Sequence, residues 1–184
     1  MIIALKKEKG FLVGSSICVS SFGMTDRDLS LPENVPFFKV NGTKDCYVGT
    51  CYFRRSSDLI RYNDYIFKDV TNGESIIKNV LPKLKALLLE NGQLKNNNWN
   101  NSLIIIKGDK IYVINRFLTV EEKEFAVLGS FVFLGGVYQA QEEGLDAETT
   151  IKQAVKIAER VDNRRYFPVV LTDTTTNKRK VIYK

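Results

Sequence analysis

Ser15, Ser16 and Cys18 stand close together near the start of the chain, and side chains of these types become nucleophiles when a neighbour takes their proton. The usual proton acceptor is missing, because none of the 184 residues is a histidine. That excludes Ser-His-Asp and Cys-His catalysis, the HExxH metal site and most zinc sites. Proton transfer must therefore fall to an amine, a lysine or a carboxylate. Baring Ser15, Ser16 or Cys18 by self-cleavage would discard the first strand and break its sheet pairing, which argues against that route. The three cysteines, Cys18, Cys46 and Cys51, cannot all pair and follow no CxxC spacing, so they read as reduced and mostly buried. Other polar groups have plain structural readings. Lys107 and Asp109 share a turn, Glu121, Glu122 and Glu124 form a charged loop, Ser130 is a turn serine and Asp162 a helix-end aspartate.

The elements that must position these groups follow from apolar runs and turn formers. "IIALKKEKGFLVGSS" reads as a hairpin around Lys-Glu-Lys-Gly, and "SSFGMTDRDLSLPENVP" as a loop. "FFKVNGTKDCYVGTCYF" gives two short strands about Asn41-Gly42. From Ser56, the spacing of Leu59, Tyr62, Ile66 and Val70 predicts a helix capped by Ser57 or Asp58. A second helix carries Ile76, Ile77, Val80, Leu81, Leu84, Leu87 and Leu88 on one face, with a kink at Pro82 and an end at Gly92. The Asn-rich "QLKNNNWNN" reads as a loop, "SLIIIKGDKIYVINR" as a hairpin, and "EFAVLGS" as a short strand. Two helices joined at Gly144-Leu145 follow, the second capped by Asp146 with Ile151, Ala154, Val155 and Ala158 inward, and a last hairpin closes the chain. This order predicts an α+β fold of antiparallel sheets, a four-layer α-β-β-α sandwich, formed by residues 1–184 as a single domain.

Composition is that of a globular chain: 44% apolar and 26% charged residues, with no apolar run near the roughly 20 residues a bilayer span needs. Lys6 and Lys7 follow the first apolar residues instead of preceding them, so no signal peptide is read and a cytoplasmic location is expected. The net charge of +6 gathers at Arg54-Arg55, Arg164-Arg165 and Lys178-Arg179-Lys180. A solvated basic surface is the simpler reading, with nucleic-acid binding as an alternative. The aromatics Tyr47, Tyr52, Phe53, Tyr62 and Tyr65 read as core or subunit contact.

The order of elements, together with "IIALKKEKGFLVGSS", "PFFKVNGTKDCYVG", "IIIKGDKIYVINR" and "FAVLGSFVFLGGVYQAQEEGLDAETTIKQAVKIAERVD", resembles the N-terminal-nucleophile (Ntn) hydrolases, and within them proteasome beta subunits and HslV. The resemblance implies an N-terminal threonine whose amine serves as base for its own hydroxyl. It also implies a lysine, an orienting aspartate, an oxyanion glycine and a downstream serine and aspartate. Ser130 in "LGSF" and Asp162 in "AERVD" match the last two. Met1 falls where the family has the residue after its nucleophile, so the nucleophile has no counterpart. The orienting aspartate becomes Ser16, the lysine Pro36 and the oxyanion glycine Tyr52, while Lys39 lies on the opposite face of its strand.

This pattern predicts a catalytically silent subunit acting as a structural or interaction protein in a homo-oligomer. It leaves open a protein partner such as an ATPase, and no cofactor or metal is expected. An active amide hydrolase with an unrecognised nucleophile is the alternative.

Overall fold

The computed structural model describes residues 1–16, 35–50, 54–96, 98–163 and 166–183. Cys18, Cys51, Tyr52, Phe53, the Arg164-Arg165 pair and most of the 20–36 loop lie outside these residues, as do the side chains of Arg54 and Arg55. Contacts divide the chain into two compact units, Met1–Pro36 with Val127–Lys184, and Phe37–Ala126.

The first unit is built on a five-stranded sheet. β1 (Ile2–Lys6) and β2 (Phe11–Ser15) form the expected hairpin, with Ile2 opposite Ser15. Four consecutive buried residues, Ile2 to Leu5, show that β1 is covered on both faces, which is why it reads as an unbroken apolar run and not as an alternation. β10 (Ala126–Leu128) lies beside β1, and β11 (Val169–Asp173) pairs antiparallel with both β2 and β12 (Arg179–Ile182). The strand order is therefore β10-β1-β2-β11-β12.

The two helices of this unit, which we label α4 (Phe131–Glu142) and α5 (Ala147–Asp162), pack together. Asp146 caps α5 by accepting from the amides of Glu148 and Thr149, and the expected inward residues are buried. Gly14 lets α5 approach the sheet: a Cβ there would sit 2.6 Å from the Ile151 methyl.

A surface ion pair closes the first unit at its other end. Lys7 donates to Asp173, whose second carboxylate oxygen accepts from the amides of Thr175 and Thr176. Burial alone would raise the Asp173 carboxyl, but the Lys7 ammonium and the two amides outweigh it and hold the group below its ordinary value. A depressed folded-state pKa stabilises the fold above the unfolded value, and that contribution fades as pH falls through the folded value. Asp173→Asn is therefore expected to lower stability by about 1 kcal/mol at pH 7. In urea titrations the gap to the parent closes below about pH 4; a gap independent of pH would contradict this assignment.

The second unit carries a five-stranded sheet of its own. β3 (Phe37–Lys39), β4 (Cys46–Thr50), β7 (Leu103–Lys107) and β8 (Lys110–Ile114) are successively antiparallel, and the Ile104-Ile105-Ile106 run is fully buried. Gly42 and Gly108 occupy left-handed conformations in the two predicted turns. Burial pushes the Cys46 thiol up to about 12, so it is an inert core group.

Four readings of this unit need correction. The helix expected from Ser56 begins at Arg54 and ends at Tyr62 (α1), followed by a 3₁₀ turn, Asp64–Phe67. Polar side chains compete with the helical ladder there: Asn63 donates to the Leu59 carbonyl, and the buried Asp64 carboxylate accepts from the Asn41 amide. Tyr62 and Tyr65 consequently face solvent, whereas Tyr47 is buried and stacks on Phe37. Next, the disturbance at Pro82 takes the form of a π-helical stretch, Ile76–Val80, between a short helical turn α2 (Gly73–Ser75) and α3 (Leu81–Glu90).

The Asn-rich segment is not all loop. β5 (Leu94–Lys95) pairs with β6 (Asn98–Trp99), because Trp99 is buried and its amide donates to the Arg116 carbonyl. Finally, the glutamate run forms an edge strand, β9 (Val120–Lys123), since β8 offers an open edge and charges are tolerated at a sheet margin. Lys110 reaches across to Glu122 at 2.7 Å. This strand completes the sheet in the order β3-β4-β7-β8-β9. Among the described residues no helix is long and apolar enough to cross a membrane.

Candidate functional site

The first unit gathers four of the six sequence-derived positions into one polar cluster. β1 and β2 continue their pairing by one further step: the Met1 amino group donates to the Ser16 carbonyl at 2.8 Å, and the Ser16 amide donates back to the Met1 carbonyl at 3.1 Å. Met1 is buried, and its Cα lies 3.6 Å from where a Cβ on Gly129 would stand. Gly129 has φ of 135°, so the absence of a side chain serves both the turn out of β10 and the close approach of Met1.

Ser130 follows as the N-cap of α4. Its hydroxyl accepts from the Val132 amide and donates to one carboxylate oxygen of Asp162, each at 3.3 Å. Asp162 is the last residue of α5, which stops because Asn163 turns into the left-handed region. The chain then returns so that the Tyr166 phenol donates to the second Asp162 oxygen at 2.8 Å. The Tyr166 carbonyl accepts from the Ser16 hydroxyl, which completes a ring of contacts from Met1 through Ser16, Tyr166, Asp162 and Ser130 back to Gly129.

One member of this ring, Tyr166, is not visible in the sequence pattern. Tyr166 is anchored by Glu159, whose carboxylate accepts from the amides of Tyr166 and Phe167 at 2.7 and 3.1 Å, and by the edge-on ring of Phe133 at 4.7 Å. Only the short distance from Asp162 to Tyr166 along the chain hints at the contact, and the helix has already ended between them.

Pro36 is buried immediately before β3, Lys39 is half-buried at the end of that strand, and Tyr52 lies outside the described residues. Ser15 donates to the Val170 carbonyl at 3.4 Å. The hydroxyls of Ser15 and Ser16 thus point at carbonyl oxygens, which accept hydrogen bonds but are too weakly basic to activate a nucleophile.

The fold is shared with solved structures. The chain is similar to Thiobacillus denitrificans BPH in complex with epoxomicin, at 18% identity and a TM-score of 0.67, over 99% of this chain and 97% of that one. It is equally similar to Thiobacillus denitrificans BPH solved without that ligand, at 19% identity and the same TM-score and coverage. The likeness fits a proteasome-like fold, in agreement with the α+β arrangement of antiparallel sheets. No family model matches the chain, and no curated protein matches it.

Proposed function

We propose that residues 1–184 form a proteasome/HslV-like Ntn-hydrolase domain, a four-layer α-β-β-α sandwich, that lacks catalysis and serves as a structural or interaction subunit of a cytoplasmic homo-oligomer. The observation that carries this reading is the state of the hydroxyls around Met1. The methionine side chain has none, and those of Ser16, Ser130 and Tyr166 donate to a carbonyl or to Asp162. In this reading, a serine bonded to a helix-end carboxylate that also holds a phenol is a fixed strut.

The second reading, an active amide hydrolase, draws on the epoxomicin complex of the structural neighbour. Intact-mass measurement after incubation with epoxomicin separates the two. The expected result is an unchanged mass and no hydrolysis of fluorogenic peptide amides. A stoichiometric adduct, or hydrolysis that epoxomicin blocks, would establish the active enzyme instead. Light scattering tests assembly, with a mass several times that of one chain expected and a monomer at micromolar concentration arguing against the subunit role.

A further inference from the structure

The second unit holds a cleft of about 610 Å³ that the polar cluster around Met1 does not use. Among the described residues it is lined by Ser56, Gln93, Lys95, Asn98, Trp99 and Arg116, which present two cations, a hydroxyl and carboxamides, and no carboxylate. The framework explains the placement. α3 ends, Gly92 turns left-handed, and the β5–β6 pairing sets Lys95 opposite Asn98. The Trp99 amide then ties this small hairpin to Arg116 at 2.8 Å.

Two observations point to the charge of an occupant. Lys95 and Arg116 have no carboxylate partner among the described residues. The Arg116 guanidinium rests over the Phe117 ring at 4.7 Å, which holds it in place without neutralising it. The Gln93 Oε1 accepts from the Ser56 hydroxyl at 2.7 Å, and this fixes the amide so that its Nε2 is a buried donor with no hydrogen-bond partner among the described residues.

The nearby helix ends do not oppose an anion. The α3 carbonyls of Leu87, Leu88 and Leu89 are already bonded to the amides of Asn91, Gln93 and Gly92, and Ser56 lies in the first turn of α1, where the helix dipole favours negative charge.

We propose that this cleft binds a small organic oxyanion, a phosphate monoester or a carboxylate, between Lys95 and Arg116. The volume admits a body larger than the oxyanion itself. Trp99 is the chain's one tryptophan and a wall of the cleft, so its fluorescence reports occupancy directly.

The probes are inorganic phosphate and succinate, each titrated at constant ionic strength balanced with sodium chloride. A saturable change in Trp99 emission is expected with at least one of them, and the stronger response identifies the preferred oxyanion. Lys95→Gln and Arg116→Gln should each weaken binding about ten-fold, and Lys180→Gln in the other unit should not. Gln93→Glu keeps the acceptor for Ser56 but adds a negative charge to the lining, so it should abolish the response while the protein still melts cooperatively. No saturable change with either probe, a response matched by chloride alone, or binding indifferent to Lys95, Arg116 and Gln93 would overturn the proposal.

Discussion

Phe133→Ala lowers the free energy of unfolding by about 3–5 kcal/mol. Phe133 is completely buried in the first turn of α4, where its ring packs nearly perpendicular to that of Tyr166 and lies 3.3 Å from the position a Cβ on Gly129 would take. Removing the ring deletes apolar contact and leaves a cavity under the strut that joins Asp162 to Tyr166. Its walls belong to a helix and to a segment held by Glu159, so they have little freedom to collapse inward. Phe131 supplies the control. It is 91% exposed two residues earlier in the same helix, and Phe131→Ala should change stability by no more than about 0.5 kcal/mol. Urea unfolding of both variants measures the difference, and a loss below about 1 kcal/mol for Phe133→Ala would mean that the site collapses and is not rigidly packed.

Adjacent glycines in α4 provide the second large contrast. A Cβ on Gly136 would stand 2.8 Å from the Ala154 Cα and 3.1 Å from its Cβ, so α4 and α5 touch backbone to backbone at that point. Backbone cannot rotate out of the way as a side-chain tip can. Gly136→Ala must push the helices apart, which costs about 1–3 kcal/mol. At Gly135, by contrast, an added Cβ would meet nothing within 4 Å and would face solvent, so Gly135→Ala gains up to about 1 kcal/mol from helix propensity. Opposite signs from neighbouring identical substitutions are the expected result in thermal melts. If both variants shift the melting temperature the same way, the close approach of α4 and α5 is not a feature of the folded protein.

The elements that sequence alone determined are those in which side-chain pattern and local backbone chemistry agree. α5 is one: Asp146 offers a cap, and Ile151, Ala154, Val155 and Ala158 recur at helical spacing, so the helix and its buried face are both legible. The β7–β8 hairpin is another, because two isoleucine-rich runs flank a Gly-Asp turn. Ser130 and Asp162 were also legible, as a serine after a glycine turn and an aspartate ending a helix.

Tertiary structure decided what depends on partners distant in the chain. β9 is a strand only because β8 leaves an edge to pair with, and β5–β6 exists only because Trp99 has a core to enter. α1 stops at Tyr62 because the Asp64 carboxylate is drawn to the Asn41 amide, 23 positions away. The same holds for the polar cluster: Ser16 meets Tyr166 across 150 positions, a contact set by the pairing of β2 with β11, which no local spacing encodes. Periodicity reports which face of an element is buried, whereas the hydrogen bonds that fix a site form between groups that meet only after the sheets have closed.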